Sequence, residues 1–173
     1  MEKICGKVLA VNISQAKGEK KNNVGCGLFI ENLGLENDAH AETGIRQVSL
    51  LAKESIEKIR AKGLDVNHGD FAENLTIEGI DLPSLPIGTQ LKVGGKVLLE
   101  VTQIGKECHS RCNIFYTVGD CVMPREGIFA KVLTGGEITG IKPSAARDCS
   151  TYQFRCASPG LRRISLSELE FQQ

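Results

Sequence analysis

Residues 91–105 read LKVGGKVLLEVTQIG, and the fold class turns on this stretch. Leu91-Lys92-Val93 and Lys96-Val97-Leu98-Leu99 are β-prone arms on either side of Gly94-Gly95. Paired glycines accept the positive φ of a type I′ turn without steric cost, so the spacing predicts a two-residue hairpin. The second arm continues through Glu100-Val101-Thr102-Gln103-Ile104, a long strand that ends at Gly105. It hands the chain directly to GKECHSRC at 105–112, and rigid strands that end in polar loops are common places for sites.

Outward from this hairpin the same texture repeats. ICGKVLAVNI at 4–13 reads as a strand, GLFIE at 27–31 as a short one, and RQVSLL from Arg46 as a third. Another, EITGIK at 137–142, follows the Gly135-Gly136 turn. EGIFAKVL at 126–133 is too short to separate strand from helix. One helix is predicted, starting near Ser49 or Leu50. Ala52, Ile56 and Ile59 repeat at helical spacing, Lys53, Glu54, Glu57, Lys58 and Arg60 fall off that stripe, and Gly63 suits the left-handed C′ position. The Ile stripe reads as core against one face of a sheet. KGEKKNN at 17–23 reads as a solvated basic loop. With 19 glycines available for turns, the expectation is a mainly β (α+β) chain. Residues 1–142 are expected to form one domain; beyond Lys142 the periodicity weakens, and 143–173 reads as a divergent C-terminal tail.

The totals bound the function. A chain of 173 residues suits one domain with a sizeable core. Lys+Arg and Asp+Glu both number 21, so no global field collects nucleic acid or an acidic membrane. Aromatics at 5% and the absence of Trp argue against stacking platforms for single strands. No apolar run is long enough to span a membrane, and Met1-Glu2-Lys3 followed by a strand-like segment lacks a signal-peptide layout. The expected location is cytoplasmic. Thiols stay reduced there, so the seven cysteines are expected to be free, buried, metal-bound or reactive. Dinucleotide-binding, Walker, nucleophile-elbow and zinc-protease motifs do not occur.

The densest constellation is 105–112, where Cys108 and Cys112 stand beside Lys106, His109 and Arg111. Adjacent cations lower a thiol pKa, and the thiolate is the form that attacks sulfur donors and binds soft metals. The cluster therefore suits a persulfide carrier, a molybdenum–thiolate ligand or a redox pair, and its cations suit a phosphate or oxo group. The plain alternative is two small buried residues. A zinc set of Cys108, His109, Cys112 and Cys121 departs from the paired knuckle spacing of structural zinc sites. A Cys108–Cys112 disulfide needs a helical turn, because an extended chain spans about 13 Å there. In GDCVMPREG at 119–127, Arg125-Glu126 sit on the bend made by Pro124. Asp38 and His40 share one face if extended, with Arg46 nearby as a pocket wall. Glu73-Asn74 reads as a turn with an Asx cap.

Six stretches carry a resemblance to a known family: GKVLAVNIS at 6–14, GLFIENLGLENDAHA at 27–41, RQVSLLAKESI at 46–56, GDFAENLTIEGIDL at 69–82, VTQIGKECHSRC at 101–112 and GDCVMPREGIFAKVLTGGEI at 119–138. In this order they resemble the MOSC domain, the C-terminal domain of molybdenum-cofactor sulfurases, in its short stand-alone bacterial form. The resemblance implies a strongly bent, barrel-like β fold with a few peripheral helices. It implies a role in molybdenum-cofactor metabolism, with a molybdopterin-type cofactor and a cysteine that carries sulfane sulfur or ligates molybdenum. Cys108 and Cys112 both fall on that cysteine segment, Cys108 being favoured for the short type. Asp38, His40, Arg46, Asn74 and Arg125 would line the cofactor pocket, and Lys106 and Arg111 would neutralise its charge. Implied partners are the cofactor itself and a cysteine desulfurase or a molybdoenzyme. Other branches imply a molybdenum-dependent reductase of N-hydroxylated compounds, and the unrelated reading is the structural zinc module. Asn37 and Ala72 stand where the family usually has glycine, and the tail after Lys142 does not match.

Overall fold

The computed structural model describes residues 5–108, 112–140 and 155–157. The chain runs β1 (Lys7–Ile13), β2 (Asn22–Asn23), β3 (Cys26–Ile30), β4 (Gly34–Leu35), β5 (Val48–Ala52), α1 (Lys53–Arg60), β6 (Leu75–Glu78), a single 3₁₀ turn at Leu82–Ser84, β7 (Gln90–Val93), β8 (Val97–Ile104), α2 (Asn113–Val118), α3 (Met123–Glu126), β9 (Ile128–Thr134), β10 (Gly136–Thr139) and β11 (Arg155–Ala157). The expected mainly β architecture with few helices is what forms. Eight strands join in the order β11-β7-β8-β9-β5-β6-β1-β2, and β10-β3-β4 make a second sheet. β5 and β6 are the parallel pair, and α1 occupies the crossover that a parallel connection requires. Register shifts between Val8 and Ala10 on β1, and between Val101 and Gln103 on β8, bend the large sheet into a strongly curled half-barrel. Among the described residues, no helix is long and apolar enough to cross a membrane.

The curl gives the sheet two differently covered faces. Val48, Leu50, Ala52, Leu75, Ile77, Leu99, Val101, Ile128, Ala130 and Val132 point into the main core. The alternate residues Leu51 and Phe129 face the other way, onto Ile56, Ile59, Val66, Ile114, Val122 and Met123. The helices therefore cover one flank of β5 and β9 and leave a gap beside it.

Two local expectations are corrected and one open choice is resolved. The helix starts at Lys53, not at Ser49 or Leu50; Ala52 is its N-cap with φ −74 and ψ 141. Val48–Leu50 pair with β9 and Leu50–Ala52 with β6, so ladder hydrogen bonds on both sides hold this segment extended. Gly63, at φ 91, takes the left-handed conformation expected of it but lies one residue past C′, since Ala61 is the C-cap. The hairpin has a three-residue loop, because Val93 pairs with Val97; Gly94 takes φ 59 and Lys96 joins the turn. The segment 126–133 is divided: Glu126 ends α3 and Ile128 begins β9.

Candidate functional site

A cleft of about 140 Å³ opens beside the second core, lined by His40, Glu42, Arg46, Ser49, Phe71, Ala72, Asn74, Lys106, Met123 and Phe129. Its floor follows from strand register. Ser49 and Phe129 are directly opposed on β5 and β9, so both side chains emerge on the same face. Asn74 is locked beneath them. Its Oδ1 accepts the Ser49 N–H at 3.0 Å and the Ser49 hydroxyl at 3.0 Å, and its Nδ2 donates to the Asn12 carbonyl at 3.2 Å. Asn74 is thus a clamp among β1, β5 and the start of β6, and a cleft residue as well.

Behind the cleft is a residue that sequence reading misassigned. Lys21, read as part of a solvated basic loop, is buried; its side chain and that of Asp38 are each 1% exposed and meet at 2.5 Å. The Lys21 ammonium also donates to Ser14 Oγ at 3.3 Å and approaches His40 Nδ1 at 3.1 Å. Asp38 accepts the Ser14 N–H at 2.9 Å and the His40 N–H at 3.2 Å. Burial alone would raise the Asp38 pKa, but hydrogen bonds from Lys21, Ser14 and Asn74 outweigh it and the net shift is down. Burial lowers the pKa of Lys21, against the pull of Asp38. His40 is lowered first by burial and then by the Lys21 charge, which favours the neutral ring despite a carboxylate oxygen at 3.8 Å. The signal that Lys21 is special is not local: the loop of Gly69 (φ 90) lies so close that a Cβ there would stand 2.0 Å from the Lys21 carbonyl.

That same loop carries Glu73, fully buried. Its Oε1 accepts from the Gly69 N–H at 2.7 Å and the Thr76 hydroxyl at 2.8 Å, while Oε2 has no hydrogen-bond partner among the described residues. Desolvation pushes this carboxyl up to about 7.

The cleft walls bring cations. Arg46 donates through Nε to Gln103 Oε1 at 2.9 Å and lies 5.6 Å over the Phe129 ring. Lys106 enters because Gly105, at φ 67, turns the end of β8 hard against α3. The Gly105 N–H donates to the Gly127 carbonyl at 2.7 Å, and the Lys106 N–H to the Pro124 carbonyl at 3.1 Å. Among the described residues, the Lys106 ammonium has no ion pair, and its charge reaches both His40 and Lys21.

Cys108, Cys112 and Cys121 are not among the residues that line the cleft. Cys108 follows Lys106 by two residues and is exposed; Cys112 caps α2 and is exposed. Cys121 is buried, takes a hydrogen bond from the Met123 N–H and shares one with the Cys112 thiol. Desolvation, with the neighbouring Cys112 and Cys108, pushes Cys121 up to about 11. Among the described residues, no three His, Cys, Asp or Glu side chains group as a metal set; His109, needed by the zinc reading, lies outside the described residues.

Of the residues expected at the site, His40, Arg46, Asn74 and Lys106 line the cleft, and Asp38 stands behind it. Arg125 does not line it: its guanidinium is 62% exposed and pairs at 2.7 Å with Asp120, which Lys62 also holds at 2.5 Å. Those two cations keep the Asp120 carboxyl down at about 2. Arg111 lies outside the described residues. A wider depression of about 430 Å³ lies elsewhere, against β3 and β10; it carries Glu36 and Glu137 and no cation among its lining residues.

The sequence profile of the MOSC domain matches residues 36–142, more than half of the chain. A comparison with curated proteins finds no match. Among solved structures, the chain is similar to the YuaD protein from Bacillus subtilis, with TM-score 0.72 and 15% identity over 91% of this chain and 98% of that one. It is similar to YiiM from Geobacillus stearothermophilus, with TM-score 0.61 and 15% identity over 95% and 81% of the two chains. YiiM from Escherichia coli gives 0.55 and 16% over 97% and 75%. At these identities the likeness concerns the fold.

Proposed function

Because the chain belongs to the MOSC domain family, a molybdenum-cofactor-related family, we propose that it binds a molybdenum–pterin cofactor and uses Cys108 or Cys112 to carry sulfane sulfur or to ligate molybdenum. One observation carries the reading: His40, Arg46 and Lys106 line a single cleft, and the exposed Cys108 follows Lys106 by two residues.

The donor set fits such a group. Phosphate and oxo oxygens accept hydrogen bonds, which guanidinium, ammonium and imidazole N–H groups supply. A thiolate is a ligand for soft metal centres and the nucleophile toward sulfane sulfur. A cleft of about 140 Å³ has room for the phosphate or the metal end and not for the pterin rings, since pockets that enclose whole small ligands start at roughly 300 Å³. When bound, the cofactor supplies redox and sulfur-accepting chemistry at its metal; Arg46, Lys106 and His40 hold its charge.

In the carrier form, the Cys108 thiolate attacks the outer sulfur of a persulfide on a donor such as a cysteine desulfurase. The donor S–S bond breaks, the donor thiolate leaves, and the persulfide now sits on Cys108. Cyanolysis after incubation with a sulfane donor tests this. The wild type and Cys112→Ala should release thiocyanate, and Cys108→Ala should not. Pterin fluorescence and molybdenum content of the natively purified protein test the cofactor half. Absence of sulfane sulfur, pterin and molybdenum alike would overturn the proposal.

A further inference from the structure

His40 stands between the interior and the cleft, and its two ring nitrogens face different chemistry. Nδ1 lies on the buried side, 3.1 Å from Lys21 Nζ. Nε2 has no hydrogen-bond partner among the described residues, and the ring lines the cleft. An ammonium donates and never accepts. The Lys21 ammonium has three acceptors for its three hydrogens: Asp38 Oδ1 at 2.5 Å, Ser14 Oγ at 3.3 Å and His40 Nδ1 at 3.1 Å. Nδ1 is therefore an acceptor, and the hydrogen of the neutral ring sits on Nε2.

We infer that Lys21 is a positioning residue for ligand recognition: by occupying Nδ1 it fixes His40 as a neutral ring with one Nε2–H donor presented to the cleft, which selects a ligand oxygen such as that of an oxyanion. The charged groups around His40 are Lys21 and Asp38 on the buried side, Lys106 from the end of β8, and the Lys17–Glu42 pair at the rim, joined at 2.7 Å. A proton on Nδ1 would face the Lys21 ammonium directly, so protonation is opposed where it would occur. A neutral imidazole donates to an oxygen without changing charge, and it offers no acceptor to a cationic or N–H-bearing ligand. Recognition at this wall is then insensitive to pH across the range in which a free histidine titrates. The inference concerns the protein without ligand and so extends past the cofactor proposal.

Two-bond ¹⁵N–¹H NMR of the full chain reads the tautomer of His40. The wild type should show the Nε2–H form, unchanged from about pH 5.5 to 8, on either side of the ordinary histidine pKa of roughly 6.5. In Lys21→Met the ring should populate the Nδ1–H tautomer as well and titrate at or above its ordinary midpoint, because the Asp38 carboxylate then acts on Nδ1 unopposed. That variant leaves Asp38 buried without its cation, so Lys21→Met combined with Asp38→Asn removes both charges and keeps the test open if the single variant fails to fold. Inorganic sulfate, an oxyanion that does not titrate in this range, supplies the binding readout. Its affinity should change little with pH for the wild type beyond the response of distant groups, and tighten by roughly tenfold toward acid pH in the variants, where His40 gains a charge. A wild-type His40 in the Nδ1–H form, or one titrating at the ordinary midpoint, overturns the inference, as does a folded variant indistinguishable from the wild type. Absence of sulfate binding to a wild type whose tautomer is as expected overturns the recognition role of Lys21, whereas the cofactor reading falls separately, on pterin and molybdenum content.

Discussion

Ala72 holds φ 62 in the turn that leads to Glu73 and Asn74. A residue with a Cβ is strained there by about 1–2 kcal/mol, and a glycine gives back part of that in unfolded-state freedom. Ala72→Gly is therefore expected to raise stability by about 0.5–1 kcal/mol in denaturant unfolding, and an unchanged or lower midpoint would show that the turn is relaxed. Asn37, at φ 62, replaces another expected glycine at smaller cost, because asparagine visits this region readily. Glu73 gives a pH signature. Its carboxyl is raised from 4.5 to about 7, so its contribution is fully present below pH 4.5 and is lost as pH climbs through about 7. That shift corresponds to about 3 kcal/mol. Glu73→Gln, which mimics the protonated acid, should abolish this decline: unfolding at pH 5 and pH 8 should differ less for the variant than for the wild type. Equal pH slopes would refute it. At this scale the sequence was legible for His40, Arg46 and Lys106 as polar cleft material, and illegible for Lys21. Burial of a lysine depends on a carboxylate 17 residues away and on the Gly69 loop, neither of which periodicity can register.

Strands β1, β3 and β8 were readable from their alternation or apolar runs, as was the Ile56–Ile59 stripe of α1. The helix start was not, because Leu50 and Leu51 bury on opposite faces of a doubly paired strand and so imitate a continuous amphipathic pattern. The junction of β8 with α3 depends on Gly105, where a Cβ would stand 2.3 Å from the Pro124 carbonyl. Gly105→Ala should cost at least about 1–2 kcal/mol from its φ alone and weaken sulfate binding by displacing Lys106. A melt and a titration check both effects, and a variant with unaltered stability would refute the tight junction. The helical segment that follows separates the thiols by access. Alkylation of the folded protein, mapped by mass spectrometry, should modify Cys108 and Cys112 well before the buried Cys121. Shielded Cys108 and Cys112 would remove the basis for sulfur handling.

For the whole molecule, the family match ends at residue 142, where the sequence changes texture, yet Arg155–Ala157 form β11 on the edge strand β7. We propose that residues 1–142 carry the fold and that the later segment shields this edge. A chain ending at residue 142 should still unfold in one cooperative transition but self-associate more readily through its bared β7 edge, measurable by light scattering. Loss of cooperativity would instead make the tail part of the folding unit.

The clamp at Asn74 has a kinetic corollary. Its amide reaches Asn12 across 62 residues of chain and Ser49 across 25, whereas β7 and β8 are neighbours joined by a short turn. Closures of such unequal length are not made at the same moment: the hairpin zips early, and contacts spanning long loops come late because their entropy must be surrendered before any reward. A refolding chain therefore completes the floor of its cleft near the end of the reaction, after the strand leading to Cys108 has already found its partner.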